Sequence, residues 1–253
     1  MTSPLTLDQL TGARVLITGS SRGIGAKTAE YLSEAGADVV INYRNKAQRA
    51  EKLVTQLEAN GRKAMALGAD LTDPLDVARM VTAIRDEWGG LDILVLNASG
   101  GMEADMGEDY AMKLNRDAQV GMLTSVMPMM EPGSRVVFVT SHQAHFIREV
   151  DTMDEYVPVA LSKRAGEDAL RGMIGDMSER GIGFVVVSGD MIEGTVTATL
   201  LNRANPGVID QRKEQVGKLY NVDEFAAEVA LACVEDIPED NTRLVGDTST
   251  FVK

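Results

Sequence analysis

Arg14-Val15-Leu16-Ile17-Thr18-Gly19-Ser20-Ser21-Arg22-Gly23-Ile24-Gly25 decides the fold of this chain. A short, mostly apolar and β-prone run meets three glycines spaced G-x-x-x-G-x-G, and a helix-forming segment follows over 26–35. The order is strand, tight turn, helix. It sets backbone N–H groups and a helix N-terminus where a pyrophosphate can sit. Glycine suits the turn because a Cβ would block either the turn or the close approach of a phosphate. Taken alone, such a loop also fits a plain connection between two elements, so the flanking chain has to decide.

On either side the same rhythm repeats. Short apolar runs at 15–18, 38–41, 63–67, 93–96, 135–139 and 184–187 read as strands, and amphipathic stretches at 27–35, 47–59, 75–88, 109–130 and 160–179 read as helices. The strands are rich in Val, Ile and Leu with little polar alternation, the pattern of strands buried on both faces of a parallel sheet. Thr72-Asp73-Pro74 offers an N-cap with proline in the first turn, Asn221 and Glu224 have capping-box spacing, and Gly61, Gly89-Gly90 and Gly181 mark helix ends. No repeat or linker divides the chain. The expected fold class is α/β: a doubly wound, Rossmann-type parallel sheet flanked by helices on both faces, forming a single domain over 1–253. The stretch 189–216 breaks the rhythm and is expected to act as a substrate lid.

Composition narrows the function. A net charge of −13 argues against nucleic acid and against an anionic membrane surface. The first ten residues lack the basic and apolar regions of a signal peptide, and no apolar run has transmembrane length. The single cysteine, Cys233, excludes an internal disulfide and fits a reducing compartment; it sits in an apolar helical run and reads as a buried structural thiol. The expected location is the cytoplasm.

Seven segments, in order, then carry a family resemblance. Thr18-Gly19-Ser20-Ser21-Arg22-Gly23-Ile24-Gly25 resembles the cofactor motif of the short-chain dehydrogenase/reductase family, in its single-domain branch. Asp70-Leu71 resembles the family's adenine-contacting pair. Asn97-Ala98-Ser99-Gly100 is similar to its Asn-Asn-Ala-Gly motif, with two changes. Asn115 matches the helix asparagine that supports a proton-relay water, Ser141 the catalytic serine, and Ser162-Lys163-Arg164-Ala165 the segment with the catalytic lysine. Ser188-Gly189-Asp190-Met191-Ile192-Glu193-Gly194-Thr195 stands where the family has Pro-Gly and then Thr. The resemblance implies that Gly189 keeps the backbone open near a nicotinamide, and that Ile192 and Thr195 hold its carboxamide.

The cofactor implied is NADP. NAD enzymes of this fold end the second strand on a carboxylate that binds the ribose 2′-OH. Here the strand ends Ile41-Asn42-Tyr43-Arg44: Tyr43 takes the acidic position, Arg44 follows, and Arg22 lies in the glycine loop. Arginine forks well onto a phosphate, so two arginines and no carboxylate favour a 2′-phosphate.

The active site departs from the family, which places tyrosine four residues before lysine. Val159 stands there, and the nearest tyrosine, Tyr156, is seven before Lys163. Seven helical residues return to the same face but about 10.5 Å along the axis, against about 6 Å for four. Pro158 in a first helical turn would place Tyr156 at or before the cap, free to fold back toward Lys163 and Ser141. His142 and His145, directly after Ser141, are alternative proton donors; they do not suggest a metal site. Met102, Met106, Met153 and Met191 fall in loops expected around the cleft, consistent with a bulky apolar substrate. The reading is an NADPH-dependent oxidoreductase acting on a small-molecule carbonyl or alcohol. The resemblance implies a homodimer or homotetramer through the helices at 109–130 and 160–179. The rival is a non-catalytic NADP(H)-binding sensor or interaction protein that has lost the tyrosine.

Overall fold

The structure is a computed structural model that describes residues 3–59, 61–102, 107 and 109–252. In it the quoted stretch forms β1 (Arg14–Ile17), the glycine turn and α1 (Gly23–Glu34). The alternation continues through β2 (Asp38–Tyr43), α2 (Ala47–Glu58), β3 (Ala64–Gly68), α3 (Pro74–Trp88) and β4 (Leu91–Leu96). Next come α4 (Tyr110–Met112), a π-helical turn (Lys113–Asp117), α5 (Ala118–Val126) and β5 (Met130–Ser141). Beyond them lie α6 (His142–His145), α7 (Val157–Arg171), α8 (Ile174–Glu179), β6 (Gly183–Gly189), α9 (Val196–Ala204), α10 (Val208–Val216), α11 (Val222–Ala232) and β7 (Thr242–Val245).

All strand pairs are parallel, in the order β3-β2-β1-β4-β5-β6-β7. The strand order reverses direction between β1 and β4, so their carboxyl ends leave a crevice of the kind in which open α/β sheets bind ligands. Successive side chains explain the unbroken apolar strands. Val15, Ile17, Val39, Ile41, Val137 and Val139 enter one apolar layer with α1 and α11, while Leu16, Val40, Leu94, Val136 and Phe138 enter another with α3 and α5. Both faces are covered, so neither needs polar residues.

The caps form as the sequence suggests. The Asp73 carboxylate accepts from the Leu75 N–H at 2.8 Å with Pro74 in the first turn of α3, and Asn221 and Glu224 complete a capping box at 2.9 and 3.0 Å. Gly89 ends α3 at φ 75°. The structure differs from the expected elements, or adds to them, at four places. The helix expected over 109–130 is interrupted by the π turn and yields at Met130 to β5, which starts five residues before the expected strand. The helix expected over 160–179 begins at Val157 and stops at Arg171, and α8 resumes at Ile174 after Gly172-Met173. The stretch 189–216 is largely helical, as α9 and α10. Finally, β7 is a seventh strand the sequence did not suggest; Arg243 in its middle is polar, and its guanidinium pairs with Glu228 and Glu235.

Candidate active site

A cleft of about 630 Å³ opens at the carboxyl ends of the strands. One end is the glycine loop. Gly19 and Gly23 have φ of 61° and 58°, which a side chain would strain, and a Cβ on Gly19 would lie 3.0 Å from the Ala98 backbone. Gly25 differs from expectation: it does not line the cleft, and its Cβ would lie 2.6 Å from Asn97 Nδ2. Its missing Cβ lets the start of α1 lie against the Asn97 amide and the glycine loop itself. The loop is pinned from beneath. Asn97 Nδ2 donates to the carbonyls of Thr18 (2.9 Å) and Gly19 (3.3 Å), and Thr18 Oγ1 accepts from the N–H groups of Asn97 and Ala98. Buried Asn42 accepts the Gly19 N–H at 3.0 Å. The sequence assigns Asn42 no role; its clamp on the glycine loop emerges only where the end of β2 meets Gly19.

Beside this loop the cleft is cationic. Arg22, Arg44, Lys46 and Arg49 all line it, with Asp70 the one carboxylate at that end among the described residues. Arg22, Lys46 and Arg49 have no ion-pair partner among the described residues, and Arg44 donates to the Tyr110 hydroxyl and lies over its ring. Lys46 and Arg49 were missed, although the sequence shows them closely following Arg44. Tyr43 lines the cleft with its ring against Gly68. Asp70, whose carboxylate accepts from Thr72, lies next to Leu71, and across from them the cleft wall is Asn97, Ala98 and Ser99.

At the other end Ser141, Tyr156 and Lys163 share one wall. Tyr156 is the N-cap of α7, and its hydroxyl lies 3.1 Å from Ser141 Oγ, inside the protein. Ser141 in turn caps α6, accepting from the Ala144 N–H at 3.3 Å. Burial pushes the Tyr156 phenol up from its ordinary value, against the hydrogen bond to Ser141, and brings the Lys163 ammonium down to about 8. Lys163 has no hydrogen-bond acceptor among the described residues. An ammonium buried without an acceptor is costly, and here it borders an open cleft. Val159, at the family's tyrosine position, is buried and packs toward Gly101, away from the cleft lining.

Asn115 lies in the π turn, a distortion common at functional sites. Its amide donates to the Gly100 carbonyl (2.8 Å) and Ser162 Oγ (2.9 Å), and its oxygen accepts the Gly100 N–H. It does not line the cleft. A Cβ on Gly166 would lie 2.0 Å from the Asn115 backbone oxygen, so α7 can press onto the π turn only through glycine.

The two histidines are engaged by partners outside the cleft lining. His142 Nδ1 meets Ser188 Oγ at 2.8 Å and Nε2 meets the Val245 carbonyl at 3.1 Å, with the ring fully buried. A carbonyl only accepts, so Nε2 carries the proton and Nδ1 accepts from Ser188. Ser188, which stands where the resemblance has proline, and His142, which follows Ser141, are thus partners. Burial brings His142 down to about 4. His145 Nδ1 lies 2.9 Å from the buried Glu167 carboxylate, which also takes Arg171. Burial works against ionising Glu167, but His145 and Arg171 outweigh it and hold the carboxyl below its ordinary value. Neither imidazole lines the cleft.

Ile192 and Thr195 line the cleft, and Thr195 also caps α9, accepting from the Ala198 N–H at 3.2 Å. Gly189 does not line it; its missing Cβ leaves room for the Phe225 ring, 2.4 Å from where that carbon would lie. Of the methionines, Met191 lines the cleft, whereas Met102 and Met153 pack into an apolar cluster around Tyr156 and Val159. Met106 lies outside the described residues. Cys233 is buried, its thiol pushed up to about 12 by burial. Among the described residues no helix is long and apolar enough to cross a membrane, and no cluster of His, Cys, Asp and Glu could hold a metal ion.

Comparison with known proteins agrees with this architecture. Residues 13–205 match the short chain dehydrogenase family, and the chain belongs to it. A short chain dehydrogenase/reductase of Aspergillus novofumigatus is 36% identical over 148 residues, a match spanning 56% of each chain, little more than half the length of that relative. Versicolorin reductase 1 of Aspergillus parasiticus is 29% identical over 254 residues, covering 96% of this chain and 93% of the relative. A short chain dehydrogenase from Burkholderia cenocepacia, solved in complex with NADP, is 30% identical and superposes with a TM-score of 0.78 over 94% of this chain and 98% of its own.

Proposed function

We propose that this chain is an NADPH-dependent carbonyl reductase, or the alcohol dehydrogenase that runs the same reaction backwards. The observation that carries the reading is the pairing of the Tyr156 hydroxyl with Ser141 Oγ on the wall that Lys163 shares. The residues fit NADP: an open glycine loop, cations without ion-pair partners at one end, and an ammonium without an acceptor at the other. NADP, when bound, supplies the hydride chemistry. Gly19, Ser21, Gly23 and Ile24 would hold its pyrophosphate through the loop and the start of α1. Arg22 and Arg44, with Lys46 and Arg49, would take the 2′-phosphate beside Tyr43. Asp70, Leu71 and the Asn97–Ser99 wall would border the adenosine, and Ile192 and Thr195 the carboxamide. The NADP named for the Burkholderia relative supports this choice.

Ser141 would orient the substrate carbonyl oxygen, and Tyr156 would give that oxygen its proton. The positive charge of Lys163 would lower the cost of leaving the phenol ionised, and Lys163 would hold the nicotinamide ribose. Asn115 would support the water that returns a proton to this chain of groups. A bulky apolar carbonyl compound suits the far wall, where Met191, Val196, Ala198 and Leu201 line the cleft; that a full-length relative is a reductase supports the reductive direction. Assembly into a dimer or tetramer through α5 and α7 belongs to the same reading. The test is loss of NADPH absorbance with the purified chain and a panel of ketones and quinones. Turnover is expected. Tight NADPH binding with no turnover on any carbonyl would favour a non-catalytic sensor.

A further inference from the structure

Gln143 lies two residues beyond Ser141, lines the same cleft, and has no part in the mechanism above. Its Nε2 donates to Asp190 Oδ1 at 2.7 Å. A carboxylate only accepts, so this bond fixes which corner of the amide is nitrogen and which is oxygen. Asp190 is itself held. Its Oδ1 also accepts the Met191 N–H at 2.8 Å, and its Oδ2 takes Arg212 Nε from α10 at 2.7 Å, the Arg212 and Asp190 side chains being only 13% and 9% exposed. Arg212 is braced by Thr250 Oγ1 at 2.8 Å and lies over the Phe251 ring. The carboxylate therefore cannot turn away without breaking several bonds, and the Gln143 amide cannot flip without facing oxygen to oxygen. Gln143 Oε1, at the opposite corner, makes no hydrogen bond among the described residues.

We propose that Gln143 is a specificity-determining residue: Oε1 accepts a hydrogen bond from a hydroxyl carried on the same scaffold as the reacting carbonyl, so that the enzyme selects hydroxylated ketones over plain ones. The proposal rests on the reductase reading. Its logic is asymmetric. The wall that α9 contributes to the same cleft carries the apolar Val196, Ala198 and Leu201 beside Thr197. A plain ketone that displaces water there leaves Oε1 without a donor, and sites built to pair a substrate hydroxyl reject analogues that lack it.

The test compares α-tetralone with its monohydroxylated derivatives in the wild type and in Gln143→Met, which keeps side-chain length but removes the amide. Two quantities are read: kcat/KM with NADPH, and the calorimetric Kd of each ketone for the NADP+-loaded protein. At least one hydroxylated derivative is expected to be favoured about 10-fold or more over the parent in the wild type. Gln143→Met should bring the two within about 2-fold, chiefly by raising kcat/KM and affinity for α-tetralone, because the acceptor that this ketone leaves unpaired is gone. A wild type without preference, or equal losses on both ketones in Gln143→Met, would overturn the proposal. Failure to turn over every ketone would count against the reductase reading instead, and the binding preference would still decide the role of Gln143.

Discussion

The Tyr156 hydroxyl lies 3.1 Å from Ser141 Oγ although Tyr156 is seven residues, not four, before Lys163. The cap position reconciles the two. Tyr156 precedes the first turn of α7, with Pro158 inside that turn, so its side chain leaves the helix axis and reaches the end of β5. Tyr156→Phe is therefore expected to lower kcat by about 100-fold or more, the scale of a lost general acid, with NADPH affinity unchanged within about 2-fold. Steady-state rates and NADPH fluorescence titration check both. The double variant Y156F/V159Y should not recover the rate, because Val159 is buried toward Gly101 and not toward the cleft. Unchanged turnover in Tyr156→Phe would remove Tyr156 as the acid.

The cations at the other end give a prediction about cofactor choice. Arg44 is held over Tyr110 and lines the same cleft as Arg22. A hydrogen bond to a charged group is worth about 1.5–3 kcal/mol, so Arg44→Ala should weaken NADPH binding by about 10- to 100-fold. NADH carries no 2′-phosphate, and its affinity should move by less than about 3-fold. Equal losses for the two nucleotides would sink the 2′-phosphate assignment.

Much of this was legible in the sequence because it depends on local chain chemistry. The glycine loop, the caps at Asp73 and Asn221, and the apolar strands follow from short-range preference and from burial on two faces. What was not legible depends on contacts between distant segments. The π turn at Asn115 packs against α7 through Gly166, fifty-one positions downstream by number. The pairing of His142 with Ser188 accounts for both residues at once, and it is visible only once β5 and β6 lie side by side. The strand β7 is short, and its Arg243 is neutralised by carboxylates from elsewhere. Gln143 and Asp190 gave no signal as separate residues; their meaning lies in the bond between them.

His142 makes stability depend on pH. Unfolded, the imidazole binds its proton near its ordinary value of 6.5; folded, burial delays this to about 4. Between those values the unfolded chain holds more protons, so the contribution of His142 is full above pH 6.5 and is lost as pH falls toward 4. The shift corresponds to about 3 kcal/mol at its limit. Urea unfolding of the wild type should therefore show a falling midpoint from pH 7 to pH 4.5. His142→Gln, whose amide can still donate to the Val245 carbonyl, should lower stability at pH 7 and flatten that fall. An equal slope in both proteins would show that other groups carry it.

Gly166 tests whether helix approach positions Lys163. Two glycines with opposite surroundings make the comparison. A Cβ on Gly166 would lie 2.0 Å from the Asn115 carbonyl oxygen, an overlap no rotamer can relieve because the backbone fixes where the Cβ sits and the oxygen is itself a backbone atom. A Cβ on Gly175, in α8, would meet nothing within 4 Å. Gly175→Ala should stabilise by about 0.4–1 kcal/mol, since alanine restricts the unfolded chain at no cost to the fold. Gly166→Ala should instead destabilise by about 1–3 kcal/mol, as overpacking does, by forcing α7 away from the π turn. Lys163 lies three residues earlier on that helix, so the same shift should move its ammonium relative to Ser141 and weaken NADPH binding as well as turnover. Thermal unfolding and NADPH titration of the two variants measure both effects. A Gly166→Ala protein with wild-type NADPH affinity would mean that Lys163 is positioned by its own turn of α7, independently of the packing against Asn115.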